Sequence, residues 1–341
     1  SDFINNFTED FNLYCSKIKK LTWKEIEYSS GIKKEEIEKI GNYYSISKNT
    51  IFSWCMGITH HPHGTATVQQ IVNLALTRGM VGKKHAGLLP IRGHSNVQGM
   101  GSMGVTPKLK EEIFKRLMEL DVLLPTIEGY DTLACINAAD RNEIDFSFCL
   151  GGNLYGSNPD SELTSTSLSK IETIVYASTA LNTGHVWGTG KNTLILPVLA
   201  RDEEHQSTTQ ESMFNFVRLS DGGINRYKNL RSEVEIIAEI ASRVLGDSNI
   251  FNWIKLKNHE NIRKLIAQII PDYNKIGMID KTKKEFHITK RVLHKPIFST
   301  KSGKAKFFYH HIPKPYYLKV NEFQLLSVRS EGQFNTVVYE D

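Results

Sequence analysis

Cysteine is scarce here, and its absence from any cluster excludes several chemistries at once. The four residues, Cys15, Cys55, Cys135 and Cys149, are scattered. None has the close spacing that holds an iron–sulphur cluster or a structural zinc, so they read as buried free thiols rather than ligands or a disulphide framework. No stretch approaches the ~18 consecutive apolar residues of a membrane span. The start carries no signal-peptide pattern, which makes a cytoplasmic protein the default expectation. The phosphate loop G-x-x-x-x-G-K-[ST] and the nucleophile elbow G-x-S-x-G are missing, which removes the usual support for simple kinase and esterase readings. Charge of one sign is also lacking: 42 Lys plus Arg against 37 Asp plus Glu give a formal +5. No basic stripe is interleaved with aromatics, so nucleic acid is not an expected partner.

What is present is organised around Ile51 to Met103. Ile51, Phe52 and Trp54 read as a buried strand, and Val68, Ile71, Val72 and Ala75 then share one face of a helix that should stop near Gly79. Strand, loop and helix in that order leave unpaired N–H groups at the helix N-terminus, suited to an anion such as phosphate, with Thr59, His60 and Thr65 close by. A glycine-rich run follows, in which Gly87, Gly93, Gly99, Gly101 and Gly104 surround Arg92, His94, Asn96 and Gln98. It suggests backbone pressed against something.

The first 48 residues read as helical. Thr22 and Glu25 are spaced as a capping box, Gly31 is a stop, and Ile37 and Ile40 face inward on the next helix. Further helices are expected over Leu109 to Leu120, Gly129 to Ala139, Val234 to Val244 and Asn258 to Ile270. Strands are expected over Ile144 to Leu150, Ile171 to Ala177 and Thr193 to Leu199. The alternation predicts an α/β fold with mostly parallel sheets, helices on both faces and ligands at the carboxyl ends of the strands. Arg201 to Gln210, without one apolar residue, reads as an exposed or ligand-lining loop. Lys281 to Lys306 reads as a lysine-rich surface connection or irregular packing arm, and Gln324 to Arg329 with Phe334 to Tyr339 as a hairpin.

Candidate chemistry gathers in two places. His60, His61 and His63 resemble a metal site in composition, yet they precede a helix instead of sitting one turn apart on it, and a hydrogen bond to a phosphate or ring substituent suits His60 better. Arg92, with His94, Asn96 and Gln98, can put a fixed cation and neutral donors on one ligand; the alternative is a structural arginine bonding loop carbonyls. Gly151, Gly152, Asn153 and Asp160 follow a strand: the glycines admit close approach, Asn153 can read polar edges and Asp160 can accept from a ribose or guanine donor.

Several motifs occur in one order: Gly57 to His60, Asn73 to Gly79, Pro90 to Gly99 (PIRGHSNVQG), Gly151 to Asn153, Leu181 to Leu199, Glu211 to Met213, and Arg329, Ser330 with Gln333 to Thr336. Together they resemble the molybdopterin oxidoreductases, in particular the formate dehydrogenase alpha-subunit-like branch. The resemblance implies Rossmann-like subdomains over 1–320 and, over 321–341, the start of a truncated C-terminal β-barrel. It implies molybdenum or tungsten held by two pterin guanine dinucleotides, a small-molecule substrate such as formate, two-electron chemistry and an electron-transfer partner. It would set Arg92 by the substrate and His94, Asn96 and Gln98 on the pterin side. Gly151, Gly152, Asn153 and Asp160 would lie along one dinucleotide, His185 and Gly188 along another part of the cleft, and Arg329, Gln333 and Asn335 at the opening of the barrel.

The family pattern also begins with a [4Fe-4S] or remnant domain and a segment presenting the metal's protein ligand. Neither is in these residues, so the chain reads as the middle of a longer enzyme, cut at both ends and inactive alone. The competing readings are a non-catalytic nucleotide- or partner-binding protein on the same scaffold, and an ordinary nucleotide-dependent α/β enzyme. On the catalytic reading, Arg92→Lys in the full-length protein keeps the charge but loses the planar two-pronged donor. It should lower kcat/KM per bound metal by about tenfold or more, ~1.4 kcal/mol of transition-state binding. Unchanged metal-normalised activity with reduced stability would make Arg92 a loop-bonding residue instead.

Overall fold

The computed structural model describes residues 1–341 apart from Arg92, Asn225, Asn249, 289–292, 315–317, 324, 326–332, 335, 336 and 339–341. The chain forms two compact units. One comprises Ser1–Val97, Met213–Asn215 and Thr289–Leu326; the other Gln98–Ser212, Phe216–Ile288 and Ser327–Asp341.

In the first unit the N-terminal residues are helical, over Asp2–Phe7, Phe11–Ile18, Trp23–Ser30 and Lys34–Ile46. Thr22 accepts from the Glu25 N–H while the Glu25 carboxylate accepts from the Thr22 N–H, and Gly31 ends that helix at φ +68°. Strand Ile51–Trp54 pairs in parallel with Gly87–Pro90, and helix Gly64–Thr77 forms the crossover between them. Gly79, at φ +63°, turns the chain where a Cβ would press on the Phe3 ring. Ala75, Leu76, Met80, Val81, Ala305 and Phe307 make the core. Buried Asn73 donates to the Phe308 carbonyl at 2.6 Å and accepts from its N–H, so the segment that brings Phe307 into the core is tied down by a satisfied amide.

Two expectations fail here for the same reason, a small sheet with little to cover. The strand at Ile51 exists but is not buried, since in a two-stranded ribbon Ile51 remains 61% exposed. Ile40 is 65% exposed, because the half-buried stripe of its helix runs through Lys34, Ile37 and Tyr44, with Tyr44 edge-on to Phe52.

The second unit is built on strands Phe146–Leu150, Thr173–Ser178 and Asn192–Pro197, parallel and in that spatial order. The central strand is buried at five consecutive positions, which is why it reads as a continuous apolar run. Helices Thr132–Asp140 and Ser161–Leu168 bring Ile136, Ala139 and Leu168 onto Ile174 and Tyr176. A second, antiparallel sheet joins Thr208–Glu211, Phe216–Ser220 and Phe286–His287. Its core includes Val217, Ile269, Tyr273, Ile279 and Phe286. Mixed α/β architecture with mostly parallel pairing is therefore what the chain adopts. Among the described residues no helix is long and apolar enough to cross a membrane.

The polar stretch Arg201 to Gln210 is an exposed loop only in part, at Arg201, Asp202 and His205. Glu203 and Glu204 are buried, and Thr208 onward is strand. The carboxylates are drawn in by local amides: Glu203 accepts from the Ala200 N–H at 3.0 Å and Glu204 from the Gln206 N–H at 3.0 Å. Of the two expectations for Lys281 to Lys306, the irregular packing arm is the one met, since Phe286 and Ile288 are buried and Ala305–Lys306 pairs with Thr8–Glu9. At the C-terminus Gln333–Phe334 pairs antiparallel with Val337–Val338, a tighter hairpin than expected; of the run Gln324 to Arg329 only Leu325 is among the described residues.

Gly222 and Gly223 pack so closely on the 202–205 backbone that a Cβ on Gly223 would sit 1.9 Å from the Asp202 carbonyl oxygen. Gly223→Ala should cost about 1–3 kcal/mol in denaturant unfolding, because backbone and not a flexible side chain is in the way. Gly41→Ala is the control: it lies in the exposed interior of helix Lys34–Ile46 with nothing within 4 Å, and should gain up to ~1 kcal/mol. Equal stability of the two variants would contradict the close approach.

Candidate functional site

The three parallel strands of the second unit all deliver their chain in one direction, so the turns after Leu150, Ser178 and Pro197 emerge at the same edge. After Leu150 come Gly151 and Gly152 at φ +67° and +74°, left-handed values that disfavour a side chain, and at both a Cβ would meet nothing within 4 Å. The backbone is therefore bare on its outer side. Asn153 next caps the short helix Leu154–Ser157 by accepting from the Gly156 N–H at 2.8 Å.

The turn after Ser178 is laced to this one. Asn153 Nδ2 donates to Thr183 Oγ1 at 2.9 Å, and Asn182 Nδ2 donates to the Gly152 carbonyl at 3.0 Å. Asn182 Oδ1 also accepts from the Gly184 N–H, and a Cβ on Gly184 would lie 2.5 Å from Asn153 Oδ1, so a side chain there would have to push that amide aside. Leu181, Val186 and Trp187 of the same turn are exposed. Sequence reasoning had Asn182 and Thr183 only as members of a matched segment; their position directly after a buried strand was the signal that singles them out.

His185 is buried, with both ring nitrogens engaged. The Asn182 N–H donates to Nδ1 at 3.1 Å, which leaves the proton on Nε2, 3.1 Å from Ser178 Oγ. Burial holds its pKa below the ordinary histidine value. The ring thus braces the turn from beneath, edge-on to Tyr176, whose hydroxyl donates to the Gly188 carbonyl and whose own pKa is pushed up by burial. Gly188 is buried, and a Cβ there would sit 2.8 Å from the Gly184 carbonyl oxygen. Asp160 is the N-cap of helix Ser161–Leu168, one oxygen accepting from the Leu163 N–H at 2.9 Å.

In the first unit a second strand end carries the other motif. Trp54 stands level with Pro90, and the Ile91 N–H bonds the Trp54 carbonyl, so Cys55 to His63 and Ile91 to Asn96 leave adjacent parallel strands at one edge. His60, His94 and Asn96 are exposed there. No side chain caps helix Gly64–Thr77, and Gly64 approaches Thr59 so closely that a Cβ would be 2.5 Å from its carbonyl oxygen. Arg92 lies outside the described residues, as do Arg329 and Asn335; Gln333 is in the C-terminal strand pair.

Gln98 opens the second unit on helix Val97–Ser102. Gly99, Gly101 and Gly104 have the spacing G-x-G-x-x-G, but they occupy this helix and the turn after it instead of a strand-to-helix turn, so the dinucleotide fingerprint lacks its structural context. Among the described residues no group of three His, Cys, Asp or Glu side chains could hold a metal ion.

Bare glycine backbone and laced amide side chains at the carboxyl ends of parallel strands define an α/β protein of the class whose ligands lie outside those ends. The sequence profile of the molybdopterin oxidoreductases matches residues 13–243, and the chain belongs to that family. It is 31% identical over 348 residues to the protein YdeP of Escherichia coli O6:H1, covering 99% of this chain and 46% of that protein. It is 28% identical over 325 residues to the F420-dependent formate dehydrogenase subunit alpha of Methanocaldococcus jannaschii, covering 90% and 46%. Against formate dehydrogenase H of Escherichia coli K12 the identity is 24% over 357 residues, covering 98% and 48%. The chain thus spans about half the length of the curated relatives it matches.

The state of His185 has a measurable consequence. Its folded pKa is depressed by burial, so just below pH ~6.5 the unfolded chain takes up a proton that the folded ring refuses. This share of stability is complete above that pH and is lost as pH falls through the folded pKa. The unfolding free-energy gap between wild type and His185→Gln should therefore narrow from pH 7.5 to pH 5 in denaturant titrations. A gap independent of pH would mean that the ring is not held neutral.

Proposed function

We propose that this chain is the central part of a molybdenum or tungsten oxidoreductase holding two pterin guanine dinucleotides, and that it acts on a formate-like small substrate. The observation that carries the reading is the Gly151–Gly152 turn, bare where side chains would project and flanked by amide groups. That surface fits a large ligand with phosphates and a polar heterocycle, since main chain can approach it without side-chain obstruction. The family motifs in order, and the names of the formate dehydrogenase relatives, support the cofactor and the substrate class.

When bound, the cofactor supplies two-electron redox chemistry at its metal, and the protein's part is orientation and electrostatics. Gly151, Gly152 and Asn153 would receive one dinucleotide, with Asp160 at its ribose or guanine end. His185 and Gly188 would shape the adjoining wall, His185 from below through the Asn182 turn. On the other strand end His60, His94 and Asn96, and on helix Val97–Ser102 Gln98, would meet phosphate and pterin groups, and Arg92 would hold an anionic substrate by its paired N–H donors. Arg329, Gln333 and Asn335 would begin a barrel that completes the cofactor's enclosure, and an electron-transfer protein would exchange electrons with the full-length enzyme. The metal's protein ligand and a [4Fe-4S] cluster would come from sequence outside these residues.

Metal and pterin analysis of the full-length protein tests this reading. One molybdenum or tungsten and two pterin guanine dinucleotides per chain are expected, and Gly152→Asn, a residue that tolerates the left-handed φ of this position, should lower pterin retention while leaving the fold intact. A folded protein carrying neither metal nor pterin would leave a non-catalytic protein on the same scaffold.

A further inference from the structure

Helix Val97–Ser102, which carries Gln98, ends in a buried polar knot. Ser102 Oγ donates to Glu211 Oε2 at 2.5 Å, and the Tyr273 hydroxyl donates to the same oxygen. All three side chains are removed from water, with Ser102 and Tyr273 1% exposed and Glu211 2%. They come from three distant parts of one unit: the helix end, the strand Thr208–Glu211, and the turn after helix His259–Ile269. Tyr273 is also packed into the apolar core with Ile113, Val217 and Ile270.

A carboxylate in such a place is costly. Taking it out of water costs several kcal/mol before its hydrogen bonds offset the loss, and well-packed apolar replacements of buried charged groups are often neutral or stabilising. What a carboxylate accepting from two hydroxyls does provide is one fixed arrangement of the elements that bear them. The element fixed at Ser102 has only six residues and contains Gly99 and Gly101, so it has little intrinsic tendency to hold its own position. We propose that Glu211 is a positioning residue: through Ser102, and braced by Tyr273, it sets the position of the helix that presents Gln98 to the cofactor.

The cofactor half of this inference rests on the function proposed above; the anchoring half does not. Full-length wild type, Glu211→Gln, Tyr273→Phe, Gln98→Ala and the Tyr273→Phe/Gln98→Ala double variant would be compared by two readouts. The first is amide hydrogen exchange. Loss of either hydrogen-bonding partner should speed exchange over residues 98–103 by about tenfold, with strand Thr173–Ser178 unaffected. The second is the rate at which bound pterin is lost on dilution. Glu211→Gln and Tyr273→Phe should raise it about three- to tenfold, while Tyr273→Phe should add nothing in the Gln98→Ala background, since both changes then act through one contact.

Unchanged exchange at 98–103 in Tyr273→Phe, which deletes a single hydroxyl and should fold, would overturn the anchor. Faster exchange with unaltered pterin loss, or with additive losses in the double variant, would overturn the action through Gln98. A wild type that carries no pterin would overturn the proposed cofactor, and with it the role toward that cofactor; the anchor would still stand or fall by exchange.

Discussion

Parallel pairing of one buried central strand is the constraint on which the rest of the second unit depends. Thr173–Ser178 bonds Phe146–Leu150 on one side and Asn192–Pro197 on the other, with Leu150 level with Ala177 and Ser178 level with Pro197. Because side chains alternate, a slip of one residue would turn Ile174 and Tyr176 away from the helices that cover them. The same register places the end of one strand beside the end of the next. Gly152 can then meet Asn182, and Asn153 can meet Thr183, and neither turn would be braced without the other.

Buried polar groups do similar work away from the strand ends. Arg263 donates to both oxygens of Asp280, at 2.7 and 2.6 Å, and to the Ser207 carbonyl. Burial pushes the Asp280 carboxyl up, but the hydrogen bonds and charge of Arg263, with Lys283, outweigh it and hold the pKa below the usual carboxylate value. Gln206 bonds the Lys257 carbonyl and the His259 N–H, so the 201–207 segment is sewn to helix His259–Ile269. A stretch with no apolar residue can be folded inward when each amide and carboxylate finds a partner. Among the described residues His259 Nε2, Gln210 Oε1 and, elsewhere, Ser167 Oγ are exceptions, buried without a hydrogen bond.

The two family motifs occupy comparable places in their own units. PIRGHSN leaves the strand Gly87–Pro90, and GGN leaves Phe146–Leu150, each at the carboxyl end of a parallel strand. Glycine has several duties in these segments. Gly151 and Gly152 supply left-handed turns facing open space, whereas Gly64, Gly184 and Gly188 make room for a neighbour's carbonyl or amide. Asn73 and Arg78, within another matched motif, are structural: Asn73 holds Phe308, and Arg78 donates to the Ser47 carbonyl at 2.9 Å.

The sequence by itself determined most of the helices, the three parallel strands of the second unit, the parallel α/β class and the family, because helix period, apolar runs and turn glycines are local properties of the chain; the short strands Gly87–Pro90, Thr208–Glu211 and Phe216–Ser220 carried no such signal. Thr22 with Glu25, Gly31, Gly79 and the three strands around 146–197 were legible in this way, as was the ordered set of motifs. Burial was not. Ile40 and Ile51 look like core residues and lie open, while Glu203, Glu204 and Glu211 look like surface residues and lie inside. Hydropathy describes one side chain against water, whereas burial depends on which distant segment arrives to cover it and whether that segment brings a hydrogen-bond partner. The direction of His185 was decided at the same level. Only the folded turn put the Asn182 N–H on one ring nitrogen and Ser178 by the other, because a hydrogen bond needs atoms at ~3 Å and no sequence spacing specifies that distance.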